Sequence, residues 1–246
     1  MVYVICDICV NWQGDTKIAV VMIRAAKNAG ADAVKFQAFQ LEQIKNHPQK
    51  DFMMKCSLTP ETAYELKEAS VSSEIEFMCT PMYAEAVDWL EKFVKRYKIR
   101  EFDSRPLLEE PSRITPLVQR VLDTGKEVII SAQNRPFHDL FLYYHPRIRW
   151  IYCMPKYPPS LEEIPFWLIK SFAGYSNHYP DIIAPLTAVI RGAQIIEVHV
   201  KPDPKRGLFG RKFPIFDSMV SLSFAELDIL VKKIRAVEKM QLELPG

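Results

Sequence analysis

Two histidines carry the sharpest chemical signal in the chain. His178 closes the run Gly174-Tyr175-Ser176-Asn177-His178, and His199 closes Ile195-Ile196-Glu197-Val198-His199. Both runs read as short buried strands that turn polar at their ends. On neighbouring strands, about 4.8 Å apart, two imidazoles reach one divalent ion with bonds near ~2.1 Å. Glu197 and Asp217 are the carboxylates expected around it, as further oxygen ligands or as supports. Two nitrogens with oxygen or water elsewhere suit Mn²⁺ or Mg²⁺, with Zn²⁺ or Fe²⁺ as further options. His47, His138 and His145 fall in expected helices or loops and receive no role.

Lys35 and Gln37 share one face of Ala33-Val34-Lys35-Phe36-Gln37 at period two, as do Glu197 and His199. A cation aimed into an interior is costly unless an anion pairs with it, so Lys35 is expected to face a carboxylate. Asp7, Thr80, Ser104, Ser131, Tyr157 and Ser176 stand at other strand ends. Taken singly, each hydroxyl is equally explained by a strand running out into solvent. Cys6-x-x-Cys9 invites a redox or zinc reading. Residues three apart on a strand face opposite sides, and no second cysteine pair completes a zinc site, so core packing is expected for both.

These residues need elements to hold them. Strands are expected over 2–8, 32–38, 75–80, 98–104, 126–131, 148–153, 172–176 and 193–199, most of them short apolar runs suited to parallel strands buried on both faces. Helices fill the gaps. The first places Ile18, Val21, Met22, Ala25 and Ala29 on one stripe behind Asp15 as N-cap. Thr59-Pro60 and Thr115-Pro116 read as N-cap followed by proline at the first helical position. Ser160 with Glu163 and Ser223 with Glu226 read as capping boxes. Phe224, Leu227, Val231, Ile234 and Val237 form one face of the last helix. Gly30, Gly125 and Gly192 each sit between a helix and a strand, as left-handed C-terminal caps do. Eight alternations make an α/β chain that is a single (β/α)₈ TIM barrel spanning 1–246, with polar strand ends gathered on one face. An open doubly wound sheet is the second reading. The segment 201–216 is expected as a long loop.

Composition narrows the function. Lys+Arg total 32 against 30 Asp+Glu, a net charge of +2, which leaves no basic excess for nucleic acid. No apolar run approaches a membrane span, and the first seven residues do not form a signal peptide. Five scattered cysteines suit reduced thiols in the cytoplasm. Only 8 glycines are present, and neither the dinucleotide fingerprint nor the P-loop pattern occurs. Any bound phosphate is therefore expected on strand-end side chains.

Several of these segments together resemble the sialic acid synthase family, over nearly the whole chain. The matching runs are Ala29-Gly30-Ala31-Asp32-Ala33-Val34-Lys35-Phe36-Gln37, Glu76-Phe77-Met78-Cys79-Thr80-Pro81, and the two strands that carry His178 and His199; Ile5 to Asp15 resembles the first strand and loop. The resemblance implies a (β/α)₈ barrel and a metal-dependent condensation of phosphoenolpyruvate with an N-acetylated hexosamine, releasing phosphate. It implies His178 and His199 as metal ligands and Asp7, Lys35 and Tyr157 as catalytic residues. Gln37, Thr80, Ser104, Arg105, Ser131, Ser176, Glu197 and Asp217 would bind substrate.

The chain also departs from the family. Asp7 replaces a glutamate, and Trp12-Gln13 interrupts the family's Asn-His-x-Gly. Pro155 stands where an asparagine precedes Tyr157-Pro158. The fourth strand is expected to put Glu101 where the family has an anion-binding lysine, a charge reversal that Arg105 could offset. The family usually continues into an antifreeze-like lid, whereas this sequence ends after the eighth helix, so a homo-oligomer or a separate lid subunit is expected as partner. Two other functions stay open: a metal-dependent barrel lyase or isomerase, and a non-catalytic barrel that binds a sugar or a partner.

Overall fold

The computed structural model describes residues 1–202 and 215–242. Eight strands form in chain order: β1 (Tyr3–Asp7), β2 (Ala33–Ala38), β3 (Glu76–Pro81), β4 (Arg96–Ile99), β5 (Glu127–Ala132), β6 (Ile148–Cys153), β7 (Gly174–Asn177) and β8 (Ile195–Lys201). Each pairs in parallel with the next, and β1 also pairs with β8, which closes the barrel. The (β/α)₈ expectation holds, and the open sheet is ruled out.

The fourth strand is misplaced in the sequence reading. It runs Arg96–Ile99, and Glu101–Ser104 is a helical turn instead. Phe102, which lent 98–104 its apolar weight, is 61% exposed, with the Arg100 guanidinium over its ring. Glu101 and Arg105 pair at i,i+4, which favours the helical conformation.

The caps behave as expected. Asp15 accepts from the Lys17 N–H at 2.9 Å and opens the helix Thr16–Asn28. That helix buries Ala19, Met22, Ile23 and Ala26, not the stripe through Val21, which faces solvent. The small alanines set the face that packs closest. Thr59 and Thr115 cap helices that begin at Pro60 and Pro116. The Ser160–Glu163 box opens only a 3₁₀ turn, and the β6–β7 crossover contains 3₁₀ turns at Leu161–Glu163 and Phe166–Ser171. The Ser223–Glu226 box opens Phe224–Leu242, whose Leu227, Val231 and Ile234 are buried. Gly30, Gly125 and Gly192 all have positive φ. Of the expected loop 201–216, residues 203–214 lie outside the described residues.

The barrel interior is layered. At the N-terminal ends of the strands, Arg96 bonds Glu76 at 2.9 Å and Glu127 at 2.5 Å. Above this sits an apolar layer of Ile5, Ala33, Met78, Ile129, Ile151 and Ile195. A larger apolar cluster fills the space between barrel and helices. Above the inner apolar layer, at the C-terminal strand ends, the interior turns charged.

Candidate active site

Barrel register builds that charged layer. Asp7 lies beside Lys35 on one side and His199 on the other, and Ser176 lies beside Glu197. Lys35 Nζ meets Asp7 Oδ2 at 2.7 Å and Glu197 Oε1 at 3.5 Å, the anionic partners its burial requires. It also donates to Thr80 Oγ1 at 3.2 Å. Burial alone would pull the Lys35 amine down, but the two carboxylates hold it above the usual lysine value.

A second lysine completes the layer. Lys98 on β4 is 3% exposed, with its Nζ 3.5 Å from Glu197 Oε2 and 2.7 Å from Ser131 Oγ. The expected charge reversal is therefore wrong: β4 carries a buried lysine, and Glu101 is in the turn after it. Glu101 instead takes both Nε and Nη2 of Arg105 and the Gln133 amide. Arg105 stays at the cleft rim and does not replace the lysine. Burial pushes the Lys98 amine down, opposed by Glu197. Burial would raise the Glu197 carboxyl, yet Lys98 and Lys35 hold it well below the usual range. Ser176 Oγ donates to Glu197 Oε2 at 2.6 Å.

Ser104 does not belong to the site. It is fully buried, its hydroxyl lies 2.8 Å from the carbonyl oxygens of Glu101 and Ser131, and it does not line the cleft. Its place on the helical turn, not on a strand end, is the reason.

The histidines sit higher, on the opposite wall from Lys98. His178 Nδ1 donates to the Met154 carbonyl at 2.8 Å. That bond leaves Nε2 as the acceptor, and the Tyr157 hydroxyl donates to it at 2.8 Å. The same hydroxyl lies 3.5 Å from His199 Nε2, so it stands between the two imidazoles. Burial, reinforced by His199, lowers the His178 pKa to about 3, which keeps the ring neutral, with its Nε2 lone pair taken by the Tyr157 hydroxyl. Burial also holds the Tyr157 phenol well above its ordinary value. His199 Nδ1 and Asp217 Oδ2 are buried with no hydrogen-bond partner. Two buried imidazoles converging on one hydroxyl, with an orphaned Asp217 oxygen beside them, fit a divalent cation that would displace that hydroxyl.

Gln37, Ser131 and Asp217 also line this cleft of about 280 Å³, together with the residues above. Lys98, Arg100 and Cys9 line it too and were missed or differently placed from sequence. Period two along Arg96-Tyr97-Lys98 could have found Lys98. Cys6 and Cys9 both pack in the core as expected, and Cys9, beyond the end of β1, also lines the cleft. All five cysteines are buried and free. Among the described residues, no helix is long and apolar enough to cross a membrane.

A family model described as the NeuB family matches residues 22–243. An uncharacterized protein of Methanocaldococcus jannaschii is 30% identical over 97% of this chain and 71% of its own length. The N,N'-diacetyllegionaminic acid synthase of Legionella pneumophila is 29% identical over 96% of this chain and 72% of its own. The crystal structure of a sialic acid synthetase from Leptospira borgpetersenii, in complex with citrate, superimposes with a TM-score of 0.82 at 25% identity, covering 100% of this chain and 86% of that one.

Proposed function

Because the chain belongs to the NeuB family, we propose that this cleft condenses phosphoenolpyruvate with an N-acetylated hexosamine to give a nonulosonic acid. The observation that carries the proposal is the pairing of two buried lysines on the floor with two buried imidazoles on the wall. The lysines suit the phosphate and carboxylate of phosphoenolpyruvate; Gln37, Thr80, Ser131 and Ser176 add hydrogen bonds to fix the anion's orientation. His178 and His199 would hold the divalent ion, Mn²⁺ or Mg²⁺ by the nitrogen and oxygen donors alone, and the ion would supply Lewis-acid polarisation of the sugar aldehyde.

The enol carbon of phosphoenolpyruvate attacks the aldehyde carbon and forms the new C–C bond. Tyr157, whose phenol is held above its ordinary value by desolvation of its hydroxyl end and by the Asp217 carboxylate, donates to the aldehyde oxygen as it gains charge. Water then adds to the cationic carbon left from the enol, and Asp7 accepts its proton. The tetrahedral intermediate breaks its C–O bond and expels phosphate toward Lys35 and Lys98. Glu197, held ionised by both lysines, spaces them and takes no proton itself. Asp217 and Arg105 border the acceptor's end of the cleft.

The test is phosphate release from metal-replete protein given phosphoenolpyruvate and a panel of N-acetylated hexosamines. Acceptor-dependent release is expected with at least one sugar. No such release with any of them refutes the assignment.

A further inference from the structure

Cys9 is a thiol in a place where a side chain is costly. It follows β1 with φ +47°, in the left-handed region that residues with a side chain rarely adopt. Its N–H donates to Asp7 Oδ1 at 3.0 Å, which anchors this backbone beside the catalytic carboxylate. The conformation turns the sulfur into the cleft, and ligand atoms of Cys9, Asp7 and His199 lie within 4.8 Å of one another. Asp217, 2% exposed, borders the same spot with an Oδ2 that meets no hydrogen-bond partner. Among the described residues no salt bridge reaches Asp217, whereas Asp7 is matched by Lys35. The thiol thus stands among the Asp7 carboxylate, which Lys35 pairs, the His199 imidazole and the unpartnered Asp217 oxygen.

We propose that Cys9 gives the ion held by His178 and His199 a sulfur ligand, with Asp217 beside it. This rests on the reading of the two histidines as metal ligands and goes beyond it. Ligation replaces the S–H bond with a metal–sulfur bond and releases the proton to solvent. A thiolate changes the character of the site. Two nitrogens with oxygens accept Mn²⁺ or Mg²⁺; two nitrogens with sulfur favour Zn²⁺, Co²⁺ or Fe²⁺.

Cobalt loading tests the sulfur directly. The Co²⁺-loaded full chain is expected to show a near-ultraviolet thiolate-to-cobalt charge-transfer band. Cys9→Gly, which suits the left-handed backbone, should retain cobalt through the histidines and lose the band. Cys9→Ser should lose it as well. Cys153 is the control, because its Sγ lies 3.9 Å from His178 Nδ1, and Cys153→Ala should keep the band. A cobalt complex without the band, a band that survives Cys9→Gly, or one lost only in Cys153→Ala overturns the proposal. If His178→Ala and His199→Ala both leave cobalt occupancy at the parent level, the histidine reading itself fails. Acceptor-dependent phosphate release by the Mn²⁺-loaded parent protein tests the condensation reading separately from either failure.

Discussion

Replacing Glu197 by glutamine removes one charge and almost no volume. The amide oxygen can still accept the Ser176 hydrogen bond, so the variant isolates the charge. Glu197 is 3% exposed, and its two oxygens lie 3.5 Å from the Lys35 and Lys98 ammonium groups. At an effective dielectric of about 20, each contact is worth about 5 kcal/mol before desolvation is subtracted. Breaking a buried pair from one side costs about 3–5 kcal/mol net, because it leaves charge without a partner. For a chain this long, each kcal/mol moves Tm by about 2–4 °C, so a fall of about 6–20 °C is expected in scanning calorimetry at pH 7. The pH dependence has a defined sign. The folded carboxyl is held below its unfolded value near ~4.3, so its contribution is complete above that value and is lost as pH falls toward about 2. The gap between parent and variant should be flat from about pH 5 to 8 and close below about pH 4. Glu197→Gln combined with Lys98→Met removes the cation stranded by the first change and should recover more than half the lost Tm. A fall under about 2 °C, or a double variant no more stable than the single, refutes the charge-ring account.

Lys98→Met should cut kcat/KM for phosphate release by about 10²–10³, whereas Ser104→Ala should leave it within about twofold and cost about 1 kcal/mol of stability; equal kinetic losses would restore Ser104 to the site. A methyl group at Gly174 would lie 2.1 Å from the Ile195 carbonyl oxygen, so Gly174→Ala should cost about 3 kcal/mol in denaturant titration. Gly192→Ala meets open space at φ +99° and should cost only about 1 kcal/mol. Thr59→Ala removes the N-cap of Pro60–Ser72; a loss of about 1 kcal/mol is expected by the same titration, and no change would show that solvent replaces the cap.

The barrel was legible because parallel strands buried on both faces leave short apolar runs, and capping residues mark where the helices between them begin. Lys35, Thr80, Ser176, Glu197 and both histidines were legible because each ends such a run at an inward position. Lys98 was hidden by its own strand: Arg96-Tyr97-Lys98-Ile99 alternates charged and apolar residues and resembles a solvent-facing edge. Period two allows it to face inward, but the anion that pairs with it there, Glu197, lies 99 positions later. The Asp7 to His199 neighbourhood depends on barrel closure in the same way. Core packing of Cys9 was legible, but its place on the cleft wall was not, because strand alternation says nothing beyond the end of β1, where a left-handed residue redirects the chain.

The apolar layer of Ile5, Ala33, Met78, Ile129, Ile151 and Ile195 separates a half-buried set of charges from a buried one. Arg96 and its glutamates lie at one mouth, and the lysine–carboxylate ring lies at the other. The layer therefore keeps the two sets out of contact along the barrel axis. Substitutions at Glu76 or Glu127 alter how firmly the strands are tied without removing an ion pair of the opposite mouth. One half of the barrel can drift for robustness while the other is tuned for chemistry.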